Sequence, residues 1–280
     1  VKIAYLGPPG TFSEQAALLC RAEEDELLPL ASFPAVVSAV ETGAAQLAVL
    51  AIENSIEGSV NANLDLLIHE TALKICREVV VPVHHFLVGV PGADVATIRD
   101  VHSHPQAFGQ CRGFLTTVLP GAREHAALST AGAVEDIVRT GDRHVAAIGP
   151  ELAARIYGGE ILARNIEDNH NNVTRFVALA AEDQPPTGTD KTSLCLSVRA
   201  NEPGALYEIL GELAVDKIQM TKLESRPAKG LLGEYFFLID IEGHRLDQPI
   251  AEVLERMRAK ADVFQIWGSY PRFQAEQTQP

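Results

Sequence analysis

From residue 1 to about residue 182 the chain alternates short apolar runs with helical patterns, and this alternation constrains the fold more than any other feature. Apolar runs of strand length lie at 2–6, 27–31, 47–52, 79–90, 101–104, 145–149 and 174–181. Helical patterns begin near Phe12, Pro34 and Val60 and occupy 131–139 and 151–157. Repeated βα units of this kind favour a largely parallel sheet with both faces covered by helices. The stretch is long for one such sheet with short connections, so two lobes with a cleft between them are expected.

The texture changes at Glu182, where Asp-Gln-Pro-Pro-Thr-Gly-Thr-Asp follows with no apolar period. That composition places a linker at 183–190. Beyond it the patterns read strand 192–199, helix 204–215, strands 218–224 and 234–241, helix 250–261 and strand 263–270. The order βαββαβ is ferredoxin-like, a split βαβ module spanning 191–273. Modules of this kind pair with one another or bind a small effector. The polar tail 274–280 is expected to be loose.

Composition narrows the function. The formal net charge of −14 argues against nucleic acid, whose binders need a basic face. It also means that an anionic ligand needs local donors to overcome an unfavourable overall field. No apolar run reaches the roughly 18 residues of a membrane span, and no basic stretch followed by an apolar one marks secretion. Cys20, Cys76, Cys111 and Cys195 are far apart in apolar surroundings, the pattern of buried reduced thiols in a cytoplasmic protein.

Four polar segments sit at strand–helix or loop–strand junctions. Gly7-Pro8-Pro9-Gly10-Thr11-Phe12-Ser13-Glu14 follows the first strand; its glycines permit a tight turn, and Thr11 or Ser13 can cap the helix beyond. A nucleotide-binding P-loop is excluded there, because no lysine stands near position 13. Glu53-Asn54-Ser55 closes the third strand, where open α/β sheets place ligands. His102-Ser103-His104-Pro105-Gln106 puts Pro105 at the first position of a helix; its two histidines lack the companion ligands of a metal site. Asn172-Val173-Thr174-Arg175-Phe176 sets a hydroxyl beside a guanidinium at the mouth of an apolar run. There is no G-x-S-x-G elbow, no GxGxxG fingerprint and no paired-carboxylate motif. Hydroxyls, amides, helix ends and one arginine suit a small carboxylate-bearing molecule and assistance to one proton transfer.

These segments, with Cys111 and the later Pro203-Gly204-Ala205-Leu206-Tyr207 and Glu224-Ser225-Arg226-Pro227, closely resemble the signature segments of prephenate dehydratases that carry a C-terminal ACT domain. The resemblance runs from about residue 2 to 273 in the family's order. It implies a lyase that converts prephenate to phenylpyruvate in phenylalanine biosynthesis, needs no cofactor or metal, and is regulated allosterically by L-phenylalanine. It further implies a two-lobed, periplasmic-binding-protein-like catalytic region at 1–182, with subdomains at about 1–79 plus 165–182 and at 80–164. The ACT module would then hold a dimer or tetramer together.

By the same resemblance Thr174 donates to the leaving hydroxyl, and Arg175 pairs with a substrate carboxylate. Asn54, Ser55 and Gln106 orient the reacting groups; Glu53, an anion that the dianion repels, acts as an orienter or is protonated. Thr11, Ser13, Ser103 and Phe176 are implied to bind substrate. Gly204, Ala205, Leu206, Glu224, Ser225, Arg226 and Pro227 are implied to form the L-phenylalanine site. Ala51 stands where the family commonly has proline, and Phe108-Gly109 replaces a smaller pair; both are expected to alter packing rather than activity. No chorismate-mutase helices precede Lys2, the pattern of the monofunctional form. Two other readings fit the residues: arogenate dehydratase, and a non-catalytic metabolite sensor.

Overall fold

A computed structural model describes residues 1–198, 203–228 and 234–273. In chain order the elements are β1 (Lys2–Leu6), α1 (Phe12–Cys20), β2 (Glu26–Leu30), α2 (Phe33–Glu41), β3 (Leu47–Asn54), β4 (Gly58–Ser59), α3 (Asn61–His69), β5 (Lys74–Pro82), β6 (Phe86–Gly89), β7 (Asp100–Ser103), α4 (Pro105–Gln110) and α5 (Arg112–Val118). They continue with β8 (Arg123–Ala126), α6 (Thr130–Thr140), β9 (Val145–Gly149), α7 (Glu151–Tyr157), β10 (Glu160–Ala163), β11 (Val173–Ala180), β12 (Asp190–Val198), α8 (Ala205–Val215), β13 (Met220–Pro227), β14 (Tyr235–Glu242), α9 (Gln248–Lys260) and β15 (Ala261–Pro271). A 3-10 turn lies at Val95–Thr97. The chain divides into two compact units, one of Val1–Asn63 with Val79–Phe176, the other of Leu64–Glu78 with Val177–Pro280.

Most strands of the first unit fall in two sheet systems. In one the strand order is β2-β1-β3-β11-β5, with β4 on β3; β1 is parallel to both β2 and β3. The other has the order β10-β6-β9-β7-β8. Its β7 runs parallel to β8 and β9, but β6 runs antiparallel to β9 and β10. The expectation of a largely parallel sheet is therefore corrected to a mixed one. The apolar run 79–90 is two strands in different sheets rather than one. Val83, His84 and His85 lie between them outside either sheet.

Burial explains why β6 reads as uninterrupted apolar sequence. Leu87 packs with Val101, Phe108, Leu115 and Ile148, whereas Phe86 and Val88 pack with Val134, Ile137 and Ala153. A strand covered on both faces cannot show polar alternation. Helix ends are set locally. Ser129 Oγ caps α6 by accepting from Gly132 N, and Gly141, at φ 72°, ends it in the left-handed conformation.

In the second unit β12, β13, β14 and β15 form one antiparallel sheet in the order β13-β14-β12-β15. Leu194, Leu196, Ile239 and Ile241 meet Ile209, Leu213, Val253 and Met257 of α8 and α9 beneath it. The βαββαβ order matches expectation, with boundaries shifted by up to three residues. Arg199, the expected end of the first of these strands, and the tail 274–280 lie outside the described residues. All four cysteines are buried, and none is in a disulfide. Among the described residues no helix is long and apolar enough to cross a membrane.

Candidate active site

The first unit holds a cavity of about 290 Å³ whose wall draws on both of its sheet systems. It is lined by Phe12 and Ser13 at the start of α1, Phe33 at the start of α2, Gln106 and Ala107 in the first turn of α4, and Ser129 and Thr130 at the start of α6. Ala51, Asn54, Val83, His85, His104, Gln110, Thr174 and Phe176 complete most of the wall. Helix starts present unpaired N–H groups and positive partial charge. Several of them converging here make a favourable place for an anion in an otherwise acidic protein.

A buried hydrogen-bond chain crosses the wall. Asn54 Nδ2 donates to Thr174 Oγ1 at 2.9 Å and to Asn172 Oδ1 at 2.7 Å. Asn172 Nδ2 donates to Gln110 Oε1 at 3.2 Å, which also meets His85 Nε2 at 2.9 Å. Gln110 Nε2 reaches Glu57 Oε1 at 3.2 Å. Because Thr174 Oγ1 accepts from Asn54, its own hydrogen remains available for an occupant of the cavity.

Strand alternation sorts the 172–176 segment. Thr174 and Phe176 line the cavity, while Arg175 is turned to Glu53, with Nη1 3.7 Å from Oε2. Arg175, expected as a carboxylate partner, thus lies beside Glu53 rather than among the residues that line this cavity. Glu53 finds in Arg175 the counter-charge that sequence reasoning had not supplied. Ser55 does not line the cavity either: it exchanges bonds with Val173, its N–H donating to the carbonyl at 2.9 Å and its Oγ accepting from Val173 N at 3.0 Å.

Two expected substrate binders also have structural partners. Ser103 is fully buried and donates Oγ to Ile148 O at 2.7 Å. Thr11 donates to Leu6 O and caps α1 by accepting from Glu14 N, both at 3.2 Å. Short polar residues at junctions satisfy backbone groups as readily as ligands, which is why sequence alone did not separate them. Asn54, Gln106, Ser13, Thr174 and Phe176 do line the cavity. Of the unusual residues, Ala51 lines it as well, and Phe108 is buried in the core under β7.

Sequence reasoning missed His85, Gln110 and Asn172 as wall groups. Gln110 was legible as the residue four positions after Gln106, one turn along the same helix. His85 was hidden inside an apolar run. Its backbone N–H donates to the buried Glu167 carboxylate at 2.8 Å, which also meets His84 Nδ1 at 2.8 Å and His170 Nδ1 at 3.1 Å. Burial works against ionisation of Glu167, but these bonds outweigh it and hold its carboxyl below the usual range. Burial lowers the pKa of His85, so its ring is neutral near pH 7. His102 stacks on His125, with ring centroids 4.7 Å apart. His104 Nδ1 accepts from Gln106 N at 3.3 Å, at the start of α4.

In the second unit Gly204, at φ 93°, precedes α8, which Ala205 and Leu206 begin. Glu224, Ser225, Arg226 and Pro227 end the edge strand β13. Arg226 Nη2 pairs with Asp65 Oδ1 at 3.0 Å, and Arg226 Nη1 lies 3.8 Å from Glu224 Oε1.

Comparison with known proteins gives a consistent family. The model of the prephenate dehydratase family matches residues 3–184. A bifunctional chorismate mutase/prephenate dehydratase of Neisseria gonorrhoeae is 43% identical over 96% of this chain and 74% of its own length. The solved structure of a prephenate dehydratase from Arthrobacter aurescens, in complex with L-Phe, is 34% identical, with a TM-score of 0.88 over 97% of this chain and 90% of that one. A structure described as GqqA, a novel type of quorum quenching acylases, is 37% identical, with a TM-score of 0.88 over 98% of each chain.

Proposed function

The chain belongs to the prephenate dehydratase family, and from that premise we propose that it converts prephenate to phenylpyruvate with loss of carbon dioxide and water. The observation that carries this reading is the Asn54–Thr174 bond at 2.9 Å, made in a cavity ringed by helix starts. Prephenate is a dianion, and the converging N–H groups suit its carboxylates. Expulsion of one carboxylate as carbon dioxide while the ring hydroxyl leaves produces an aromatic ring, whose stability drives the step. The protein needs to hold the dianion and stabilise the departing oxygen. Thr174 supplies a donor for that oxygen, and its hydrogen bond strengthens as negative charge develops there.

The catalytic region is assigned to 1–182, with periplasmic-binding-protein-like lobes at about 1–79 plus 165–182 and at 80–164, and the linker to 183–190. The βαββαβ module at 191–273 is assigned as an ACT domain. It binds L-phenylalanine near Gly204, Ala205, Leu206 and 224–227, and self-associates into a dimer or tetramer. The enzyme acts in the cytoplasm, in L-phenylalanine biosynthesis.

The test is phenylpyruvate formation from purified prephenate, with and without L-phenylalanine and with arogenate as competitor. Turnover suppressed by L-phenylalanine supports both assignments. Preference for arogenate makes the protein an arogenate dehydratase, and folded protein inert on both substrates makes it a sensor. Acylase activity, the property named for the second structure, is assayed on the same preparation.

A further inference from the structure

The reaction leaves one proton to be supplied. Cleavage of the bond from C1 to the carboxylate releases carbon dioxide and sends its electron pair into the ring. Cleavage of the C4–oxygen bond carries an electron pair out with the hydroxyl. Dianionic prephenate therefore gives monoanionic phenylpyruvate, carbon dioxide and hydroxide, and hydroxide becomes water only by taking a proton. A threonine hydroxyl can stabilise the departing oxygen but is too weak an acid to surrender its proton readily near neutrality.

Of the side chains that line the cavity, those of His85 and His104 are imidazoles, the group best suited to proton transfer near neutrality. The tautomer of His85 follows from its neighbours. The Glu57 carboxylate only accepts, so Gln110 must present Nε2 to it and Oε1 to the other side. That oxygen accepts from Asn172 Nδ2 and from His85 Nε2–H. In the neutral ring Nδ1 is therefore a bare lone pair, and it is buried with no protein partner. Among the described residues Asn63 Oδ1 and Arg245 Nε are also buried without a hydrogen bond, but of these residues only His85 lines the cavity. The ring is held in place by the edge-on Phe12 ring, 5.7 Å away, and by its backbone bond to Glu167. A buried polar atom left unpaired on so constrained a ring calls for an explanation.

We infer that His85 is the general acid of the reaction: its imidazole takes up a proton as the dianion enters, and Nδ1–H passes that proton to the departing hydroxide while Nε2–H stays on Gln110. The inference rests on the prephenate reading. The charged groups facing the ring are Glu167, which favours the imidazolium, and His84, which opposes it; Glu57 lies beyond Gln110, and His104 shares the cavity wall. In the empty protein burial prevails, and two substrate carboxylates reverse the balance.

The experiment is the pH profile of kcat for the wild type and for His85→Gln, His85→Asn and His104→Gln, with folding checked by thermal melts. The wild-type kcat is expected to fall tenfold per pH unit above the pKa of His85 in the complex. Glutamine keeps a donor for Gln110 but cannot act as an acid. Its kcat at neutral pH is expected to fall by about 10²–10⁴-fold with the alkaline limb abolished and KM little changed; asparagine behaves likewise. Added imidazole restores part of the turnover of His85→Ala.

A wild-type kcat that is flat from about pH 6 to pH 10 overturns the inference, a range that spans the ordinary His titration. So does a His85→Gln kcat close to wild type, or a limb that disappears in His104→Gln instead. Wild-type protein that makes no phenylpyruvate removes the underlying reading, an outcome distinct from turnover that is indifferent to His85.

Discussion

Asn54 donates to Thr174 Oγ1 at 2.9 Å while its own Oδ1 accepts from the backbone N–H groups of Ile56 and Glu57, both at 3.0 Å. One amide thus shapes the loop after β3 and orients the hydroxyl of β11. Asn54→Asp keeps the loop acceptor but removes the donor and places a charge beside the substrate. Its kcat on prephenate is expected to fall by about 10²–10³-fold, as does that of Thr174→Ala, each change removing one preorganised donor or its support. Thr174→Ser should retain most activity. Steady-state kinetics in which Asn54→Asp matches wild type would sink this account.

Ser103 was expected to bind substrate, yet its hydroxyl is buried on Ile148 O. Ser103→Ala leaves that bond unmade in the core. It should cost about 1–3 kcal/mol of stability while kcat and KM stay near wild type. Denaturant unfolding combined with kinetics checks this; a stable variant with a raised KM would restore the substrate role.

Gly10, at φ 88°, faces α7, and an added Cβ would lie 2.8 Å from Ala153 Cα. Gly10→Ala forces both a left-handed alanine and a backbone displacement. A loss of about 1–3 kcal/mol is expected, read as a lowered melting temperature. An unchanged melting temperature would mean that α7 moves freely.

Stability should fall in two stages on acidification. Burial depresses the His85 pKa, so the unfolded chain binds that proton first, and stability is lost as pH drops below about 6.5. The Glu167 carboxyl is also depressed, its bonds outweighing its burial, so its contribution is present above about pH 4.3 and lost below. Thermal melts should show the upper stage disappear in His85→Gln and the lower stage shrink in Glu167→Gln. A variant whose acid profile overlays wild type would remove its residue from this scheme.

Gly204 starts α8 from a left-handed conformation with open space where a Cβ would stand. Valine there strains the helix start and covers N–H groups that suit an amino-acid carboxylate. Gly204→Val is expected to turn over prephenate while losing its response to L-phenylalanine. Inhibition curves that coincide with wild type would exclude this helix start from the effector site.

Much of the architecture was written in local patterns. The apolar periods, the caps at Thr11 and Ser129, and Pro105 at a helix start are decided by neighbours within a few residues. The run 79–90 failed because a strand buried on both faces has no alternation to reveal where it breaks. Four junction segments were rightly read as polar, but which of their side chains face the cavity was not legible.

The sequence by itself determined most of the longer elements, the two textures of the chain and the family, because these depend on periodicity and on short motifs. Only the tertiary structure decided that Thr174 lines the cavity while Arg175 turns to Glu53, that Ser103 is spent on a carbonyl, and that Asn54, Asn172, Gln110 and His85 join in one chain of bonds. A hydrogen bond between residues more than a hundred positions apart, as Asn54 and Thr174 are, depends on how β3 and β11 are brought together. No local pattern encodes that placement.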